Sequence, residues 1–200
     1  MHESLLQYLH QMLDHPLSED EIGLIRETFV LKKIRKHKLF LEEGAVCKLA
    51  GFIVKGALKQ YSVDETGKEN ILNLYIENWW VGDRESFMNN TPSPYFIEAF
   101  EDTEVLIISK EVYIERLQNQ GFIRELSQKL STNQAFKLLK RVHSSKTLSA
   151  EERLSELEKT YLEPQNGKYL EDSSKEKLLT TYPDKKRYKY TLPGSGILYV

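Results

Sequence analysis

The sequence has a single cysteine, Cys47, among its 200 residues. One thiol cannot form a disulfide within the chain, and it cannot provide a Cys-x-x-Cys redox pair or a full thiolate set for an iron-sulfur cluster. The five histidines also lack the His-x-x-x-His spacing that holds a metal ion on one helix. We therefore predict neither a redox centre of this kind nor a metal site.

Long apolar runs are also missing, since the longest apolar pieces are as short as residues 105–108. Residues 1–10 lack the basic start and apolar stretch of a signal peptide, and no run approaches the length of a membrane span. We therefore expect a cytoplasmic protein that does not enter a membrane. The 28 basic and 30 acidic residues give a net charge of −2, so any contact with DNA has to be local.

No group of residues has the spacing of a catalytic site. Glu42-Glu43 and Glu101-Asp102 are adjacent carboxylates, but neighbouring side chains in a strand or turn point apart, and neither pair has a nucleophile or base beside it. A phosphate-cradling Gly-x-x-x-x-Gly-Lys motif is absent as well. The sequence therefore predicts no catalytic residue, and we expect a protein that is not an enzyme.

Two short helices are predicted at the start of the chain. An apolar pattern at helical spacing follows Ser4, a suitable N-cap, and Pro16 ends it. Ser18 and Glu21 have the S-x-x-E spacing of a capping box, which predicts a second helix that runs to about Phe29.

The region between Val30 and Ser109 has the texture of a compact all-β unit. Short β-rich pieces are separated by Gly, Asn, Asp and Pro, and the apolar period becomes two. One strand over residues 52–63 and another over residues 71–76, joined by a turn at 64–67, predict a hairpin in a sandwich or roll. With the flanking helices, the fold class is α+β.

The helical period returns after Ser109, a second suitable N-cap, and Gly121 separates a short helix from a long one. The long helix carries more apolar side chains than one face of a small roll needs. Its remaining stripe is therefore expected to pack against a second copy of the chain. The residues predicted to form this homodimer interface are Phe122, Leu126, Leu130 and Leu138.

The order and spacing of six short pieces resemble the cyclic-nucleotide-binding β-roll of Crp/Fnr-type transcriptional regulators. The pieces are FLEEG (40–44), GFIVKGALKQY (51–61), TGKE (66–69), GD (82–83), SF (86–87) and EDTEVL (101–106). The resemblance covers roughly residues 5–160. It implies a β-roll (a jelly-roll-like fold) flanked by N-terminal helices and followed by a long dimerisation helix, with a small-molecule effector bound in the roll.

In that family a short helix presents backbone N–H groups to the cyclic phosphate, an acidic residue holds the ribose hydroxyl, and an arginine pairs with the phosphate. Here Asp83 takes the place of the usual glutamate, and Ser93 and Pro94 fall where the arginine and the small residue after it belong. Removing such a charge-assisted contact commonly costs about 2–5 kcal/mol, so we expect no tight binding of cyclic AMP.

The ligand-binding residues that the resemblance implies are Gly82, Asp83, Arg84, Glu85, Ser86, Phe87, Ser93 and Tyr95. Arg84 is near enough in sequence to supply the missing charge, although a solvated arginine is the simpler expectation. Two interpretations of the pocket stay open. Either another small molecule occupies it, an apolar or aromatic one given Tyr75, Trp79, Phe87 and Tyr95, or the pocket is vestigial and these side chains serve packing.

The last part of the chain departs from the family, in which a winged helix-turn-helix contacts DNA. A second capping box, at Ser149 and Glu152, predicts a short helix over 149–161, but two consecutive amphipathic helices do not follow. The basic run at 185–190 is interpreted as a solvated tail or an edge hairpin rather than a nucleic-acid contact. We divide the chain into N-terminal helices and roll (1–118), a long dimerisation helix (119–147) and an atypical C-terminal segment (148–200).

Two functions fit this sequence. The first is a ligand-responsive transcriptional regulator of the Crp/Fnr type, a homodimer that senses a cyclic nucleotide or another small effector. The second is a dimeric ligand-binding or protein-interaction module without DNA recognition. No cofactor is firmly predicted.

Overall fold

The computed structural model describes residues 2–148 and 152 and two short strands at 189–191 and 197–199. Eight strands lie between the predicted limits of the β unit: β1 Val30–Ile34, β2 Leu39–Leu41, β3 Leu49–Lys55, β4 Leu58–Val63, β5 Glu69–Tyr75, β6 Trp80–Val81, β7 Phe96–Ala99 and β8 Thr103–Ser109. They form two antiparallel sheets, with strand orders β1-β8-β3-β6 and β2-β7-β4-β5. Near the C-terminus β9 (Lys189–Thr191) and β10 (Ile197–Tyr199) pair antiparallel, as a hairpin there requires.

Five helices accompany the sheets in the described residues: α1 Glu3–Met12, α2 Glu19–Thr28, α3 Arg84–Asn89, α4 Lys110–Val112 and α5 Gly121–Thr147, with a π-helical turn at Tyr113–Leu117 after α4. The capping box at Ser18 and Glu21 is confirmed, because each side chain accepts a hydrogen bond from the backbone N–H of the other residue. The cap at Ser4 is wrong. α1 begins at Glu3 after His2, and Ser4 lies within the first helical turn. None of the described helices is long and apolar enough to cross a membrane.

Alternate side chains of β3 and β8 belong to two separate hydrophobic cores. Phe52 and Leu106 face the helices and pack with α1, α2 and the start of α5, whereas Ile53 and Val105 face the interior between the two sheets. This alternation is what period-two strands produce when both faces of a sheet are covered. The sheet β1-β8-β3-β6 therefore separates a helical layer from the interior of the roll.

The strand predicted over residues 52–63 is broken into β3 and β4, which belong to different sheets. Gly56 makes the break with a φ of +92°, and a Cβ there would lie 2.7 Å from Oγ1 of Thr103 and 2.8 Å from the carbonyl oxygen of Asp102. Only glycine fits both the backbone conformation and the space. The chain can thus turn from one sheet to the other within two residues.

The turn between β4 and β5 is organised by one carboxylate. Asp64 Oδ1 accepts from the backbone N–H of Thr66 (2.9 Å), from its hydroxyl (2.6 Å) and from the N–H of Lys68 (3.1 Å). These bonds, first the one from the Thr66 hydroxyl, lower the pKa of Asp64 to about 2. The predicted hairpin between these strands is confirmed.

We expect the side-chain carboxyl of Asp64 to titrate with a midpoint of about pH 2 in a carbon-detected NMR titration. Because the folded-state pKa is below the unfolded value, the bonds of this turn stabilise the fold above the unfolded pKa. That stabilisation is lost as the pH falls through the folded pKa. Asp64→Asn should remove this part of the acid dependence, and Glu65→Gln in the same turn is the control. A midpoint at the ordinary aspartate value would contradict the prediction.

The two halves of α5 have different surroundings. Phe122, Ile123 and Leu126 are buried with the leucines of α1, and Leu130 packs against the edge of this cluster. The prediction that Phe122 and Leu126 form part of the dimer interface is therefore corrected. Both side chains face the subunit's own core, because α1 covers that side of the helix. Further along, Phe136, Leu139 and Val142 are exposed, while the side chain of Leu138 lies outside the described residues. The homodimer itself stays a prediction.

Candidate ligand-binding site

The segment between β6 and β7 holds the predicted ligand-binding residues together in one loop and one short helix. It leaves the sheet at Gly82, whose φ is +143° and whose missing Cβ would lie 3.3 Å from the carbonyl oxygen of Leu49. α3 follows and ends at Asn90 in the left-handed conformation. The segment from Gly82 to Tyr95, named the cassette below, is therefore closely fitted to the neighbouring strand where it starts.

Asp83 closes the N-terminus of α3 with its own side chain. Its Oδ1 accepts from the backbone N–H groups of Glu85 (3.0 Å) and Ser86 (3.2 Å), and the residue is only 8% exposed. The free N–H groups of a helix start are the groups to which an anion binds. In this chain a built-in carboxylate already holds two of them, so Asp83 is an N-cap here.

Ser86 ties the cassette to the strand region beside it. Its buried hydroxyl accepts from the backbone N–H of Cys47 (2.8 Å) and donates to the carbonyl oxygen of Thr91. Burial raises the pKa of the Cys47 thiol, which donates to the carbonyl oxygen of Leu49. A buried protonated thiol is a packing group rather than a nucleophile. The cassette is thus held in place by hydrogen bonds from within the chain.

The expected position of the phosphate-pairing arginine is occupied by a small buried side chain. Ser93 is 1% exposed, and its hydroxyl accepts from the backbone N–H of Tyr95 (3.3 Å). Its backbone is also fixed, by Ser93 N–H to Ala45 O (2.9 Å) and Gly44 N–H to Ser93 O (2.7 Å). Pro94 next to it is exposed. Neither residue brings a positive charge to the cassette.

The remaining predicted site residues fall into two groups. Arg84 and Glu85 are exposed at the start of α3, and Tyr95 is half-buried. Phe87 instead points into the interior of the roll, where it meets the ring of Tyr113 edge-on at 5.6 Å between centroids. The structure therefore places Phe87 in the core, as the packing interpretation expects, and it gives Arg84 no buried position from which to replace the arginine.

The sequence did not predict a hydrogen-bonded pair between β4 and β5, formed by Gln60 and Tyr75. Tyr75 is buried, and its hydroxyl donates to Oε1 of Gln60 on the neighbouring strand (2.8 Å). Both belong to the face of the sheet that is turned toward the interior, where Tyr75 joins Phe87 in one cluster. The pairing of β4 with β5 brings these two side chains together. Counting the strand partners from the turn requires the register shift between Gln60 and Tyr61, so the sequence alone does not predict the pair.

Among the described residues no group of three or more His, Cys, Asp or Glu side chains is arranged to hold a metal ion. Gln60 and Tyr75, which face the interior of the roll, are neutral, and Asp83, the buried charged residue of the cassette, is acidic. In electrostatic terms this arrangement accepts hydrogen-bonding neutral groups more readily than it accepts a phosphate.

The family model that matches this chain describes a cyclic nucleotide-binding domain and covers residues 31–120. No protein with a curated description matches the sequence significantly. Among solved structures, the catabolite activator protein of Thermus thermophilus is 20% identical with a TM-score of 0.54, over 69% of this chain and 63% of that one. The chain thus spans less than two thirds of that regulator's length.

Two further structures place the fold in a wider context. The sensor domain of the transcriptional regulator DNR from Pseudomonas aeruginosa is 20% identical with a TM-score of 0.52, over 74% of this chain and 95% of that domain. The regulatory subunit of a cAMP-independent protein kinase A from Trypanosoma brucei is 14% identical with a TM-score of 0.51, over 64% of this chain and 43% of that one. At such identities these likenesses show a shared fold.

Proposed function

Since residues 31–120 match the family model of a cyclic nucleotide-binding domain, we propose that this chain is the sensor part of a transcriptional regulator of the Crp/Fnr kind, and that its roll does not use cyclic AMP. Its role is regulatory rather than catalytic. The effector is a small molecule without a phosphate, or the cassette works without an effector.

Two features of the cassette support the proposal that the roll does not use cyclic AMP. The Asp83 carboxylate occupies two N–H groups at the start of α3, and Ser93 stands where the pairing arginine is expected. A cyclic phosphate at this place would meet a negative charge and lose its bidentate partner. The fold is compatible with a lack of cyclic AMP binding, because a regulatory subunit that is described as cAMP-independent shares it.

The proposed role in transcription regulation is supported by α5 and by the occurrence of this fold in transcription regulators. Phe136, Leu139 and Val142 form an exposed apolar stripe on the second half of α5. Such a stripe on a helix that extends from a domain is suited to pack against a second copy. The contact with DNA that this function requires would fall in residues 148–200, nearly all of which lie outside the described residues.

The alternative is a dimeric ligand-binding or protein-interaction module without DNA recognition. The net charge of −2 favours it, because the chain as a whole offers no positive field to DNA. A gel-shift titration against promoter fragments separates the two functions. Saturable binding that depends on sequence supports the regulator, whereas weak binding that only depends on salt supports the module.

A thermal-shift titration tests the proposed lack of cyclic AMP binding. A ligand at about 100 times its dissociation constant adds about 2.7 kcal/mol of stability, which shifts the Tm of a domain of this size by several degrees. We expect no such shift with cyclic AMP or cyclic GMP at millimolar concentration. A Tm increase with cyclic AMP that saturates, and that 5′-AMP does not reproduce, would refute the proposal.

A further inference from the structure

A cluster of charged groups ties α5 to the end of α1. The ammonium group of Lys129 donates to the carbonyl oxygen of Met12 (2.8 Å) and lies 2.6 Å from Oδ1 of Asp14 and 2.9 Å from Oε1 of Glu125. Glu125 also accepts from the backbone N–H of Asp14 (2.8 Å), and the ring of His15 lies 3.4 Å from its second oxygen. We call these five residues the latch.

The latch joins more than two side chains. Lys129 holds a backbone carbonyl at the end of α1, and Glu125 holds a backbone N–H just after it, so the main chain itself is fastened to α5. The hydrogen bond from Lys129 lowers the pKa of Glu125, and the bond to Asp14 raises the pKa of Lys129. Both groups therefore remain charged over a wide pH range. The position of α5 along α1 is fixed by these contacts.

Tyr8, one turn before the end of α1, touches the strand that leads into the cassette. Tyr8 packs against Phe52 at 5.2 Å and against Trp80 at 6.4 Å between ring centroids, and Trp80 packs edge-on against Phe52 at 5.4 Å. Trp80 belongs to β6, which ends at Val81. Gly82, the first residue of the cassette, follows directly.

We infer that α1 mechanically links the cassette to α5, through the aromatic contact between Tyr8 and Trp80 and, one turn further along the chain, through the latch. A ten-residue helix with Leu5, Leu6 and Leu9 buried in the core moves as one body. A shift of β6 then moves Tyr8, and the latch passes this displacement to α5. The link is a conformational device of the subunit and does not depend on which effector the cassette takes.

Native-state hydrogen exchange of the full chain tests the link with Lys129→Met, which keeps the aliphatic stem and removes the charge. We expect about tenfold faster exchange in residues 3–17 and 121–130, because hydrogen bonds to charged groups contribute on that scale. We also expect faster exchange in the cassette, residues 82–89. The hairpin at residues 58–75 lies away from α1 and should keep its wild-type rates.

Three further variants complete the test. Lys33→Met removes the ion pair with Glu104 at the edge of the roll (2.9 Å) and should leave all of these segments unchanged. Lys129→Arg should restore most of the protection. Tyr8→Leu, which removes the aromatic contact with Trp80, should speed up exchange in residues 121–130. If Lys129→Met changes only residues 121–130, or changes all segments equally, α1 does not act as the link.

Discussion

Glutamate in place of both Phe136 and Leu139 is expected to convert a dimer into a folded monomer. These side chains are 60% and 65% exposed in the subunit, so their replacement costs the fold almost nothing. Burial of a side chain of this size contributes about 1.5–3 kcal/mol, and a two-fold interface would lose each contact twice. We therefore expect the dimer dissociation constant to rise by more than about 100-fold, measured by light scattering or sedimentation over a concentration series.

Leu126→Glu is the informative comparison, because it has the opposite expected effect. Leu126 is 4% exposed and packs inside the subunit. A carboxylate there would replace a core contact with a buried charge, and we expect the free energy of unfolding in urea to fall by about 3–5 kcal/mol. If Leu126→Glu instead gave a stable monomer while Phe136→Glu with Leu139→Glu stayed dimeric, the dimer would use the first half of α5.

The triple variant Asp83→Glu, Ser93→Arg, Pro94→Ser is expected to gain affinity for cyclic AMP. The longer acidic side chain frees the N–H groups at the start of α3, and the arginine supplies the missing charge. Loss of one partner of a close charge pair commonly costs about 2–5 kcal/mol, so restoring it should tighten binding at least about 30-fold by calorimetry. The backbone hydrogen bonds of Ser93 with Ala45 and Gly44 do not involve its side chain and can be kept in the variant.

Single replacements separate the two parts of that effect. Ser93→Arg alone should give only part of the gain, because Asp83 still caps α3 and repels the phosphate. Pro94→Ser alone changes no charge and should bind no better than the wild type. If the triple variant is folded, with a normal Tm, and still ignores cyclic AMP, the hydrogen-bonded pair Tyr75 and Gln60 inside the roll becomes the next group to replace.

Much of the fold follows from local patterns in the sequence. The capping box at Ser18, the turn at Asp64 and the cap at Ser109 each depend on residues a few positions apart, and each is found in the structure. The break at Gly56 was not predicted as a change of sheet, because it depends on the close approach of Thr103, which lies far away in sequence. Local sequence patterns therefore predict the caps and turns more readily than they predict which elements lie next to each other.

The candidate site was predictable in position but not in chemistry. The spacing around Gly82 placed the cassette, and counting residues placed Ser93 where the arginine is expected. The sequence could not show that the Asp83 carboxylate turns back onto Glu85 and Ser86, because a shorter acidic side chain fits either an N-cap or a ligand contact. On α5 the apolar spacing could not distinguish the side that α1 covers from the side left exposed.

The length of α5 beyond the latch gives it the geometry of a lever arm. From Lys129 to Thr147 the helix extends about 27 Å, at about 1.5 Å per residue. A tilt of about 5° at the fastened end would therefore displace the far end by about 2 Å. Adjustments near α1 that are too small to disturb the packing of the core would be magnified at the end of α5, from which the rest of the chain continues.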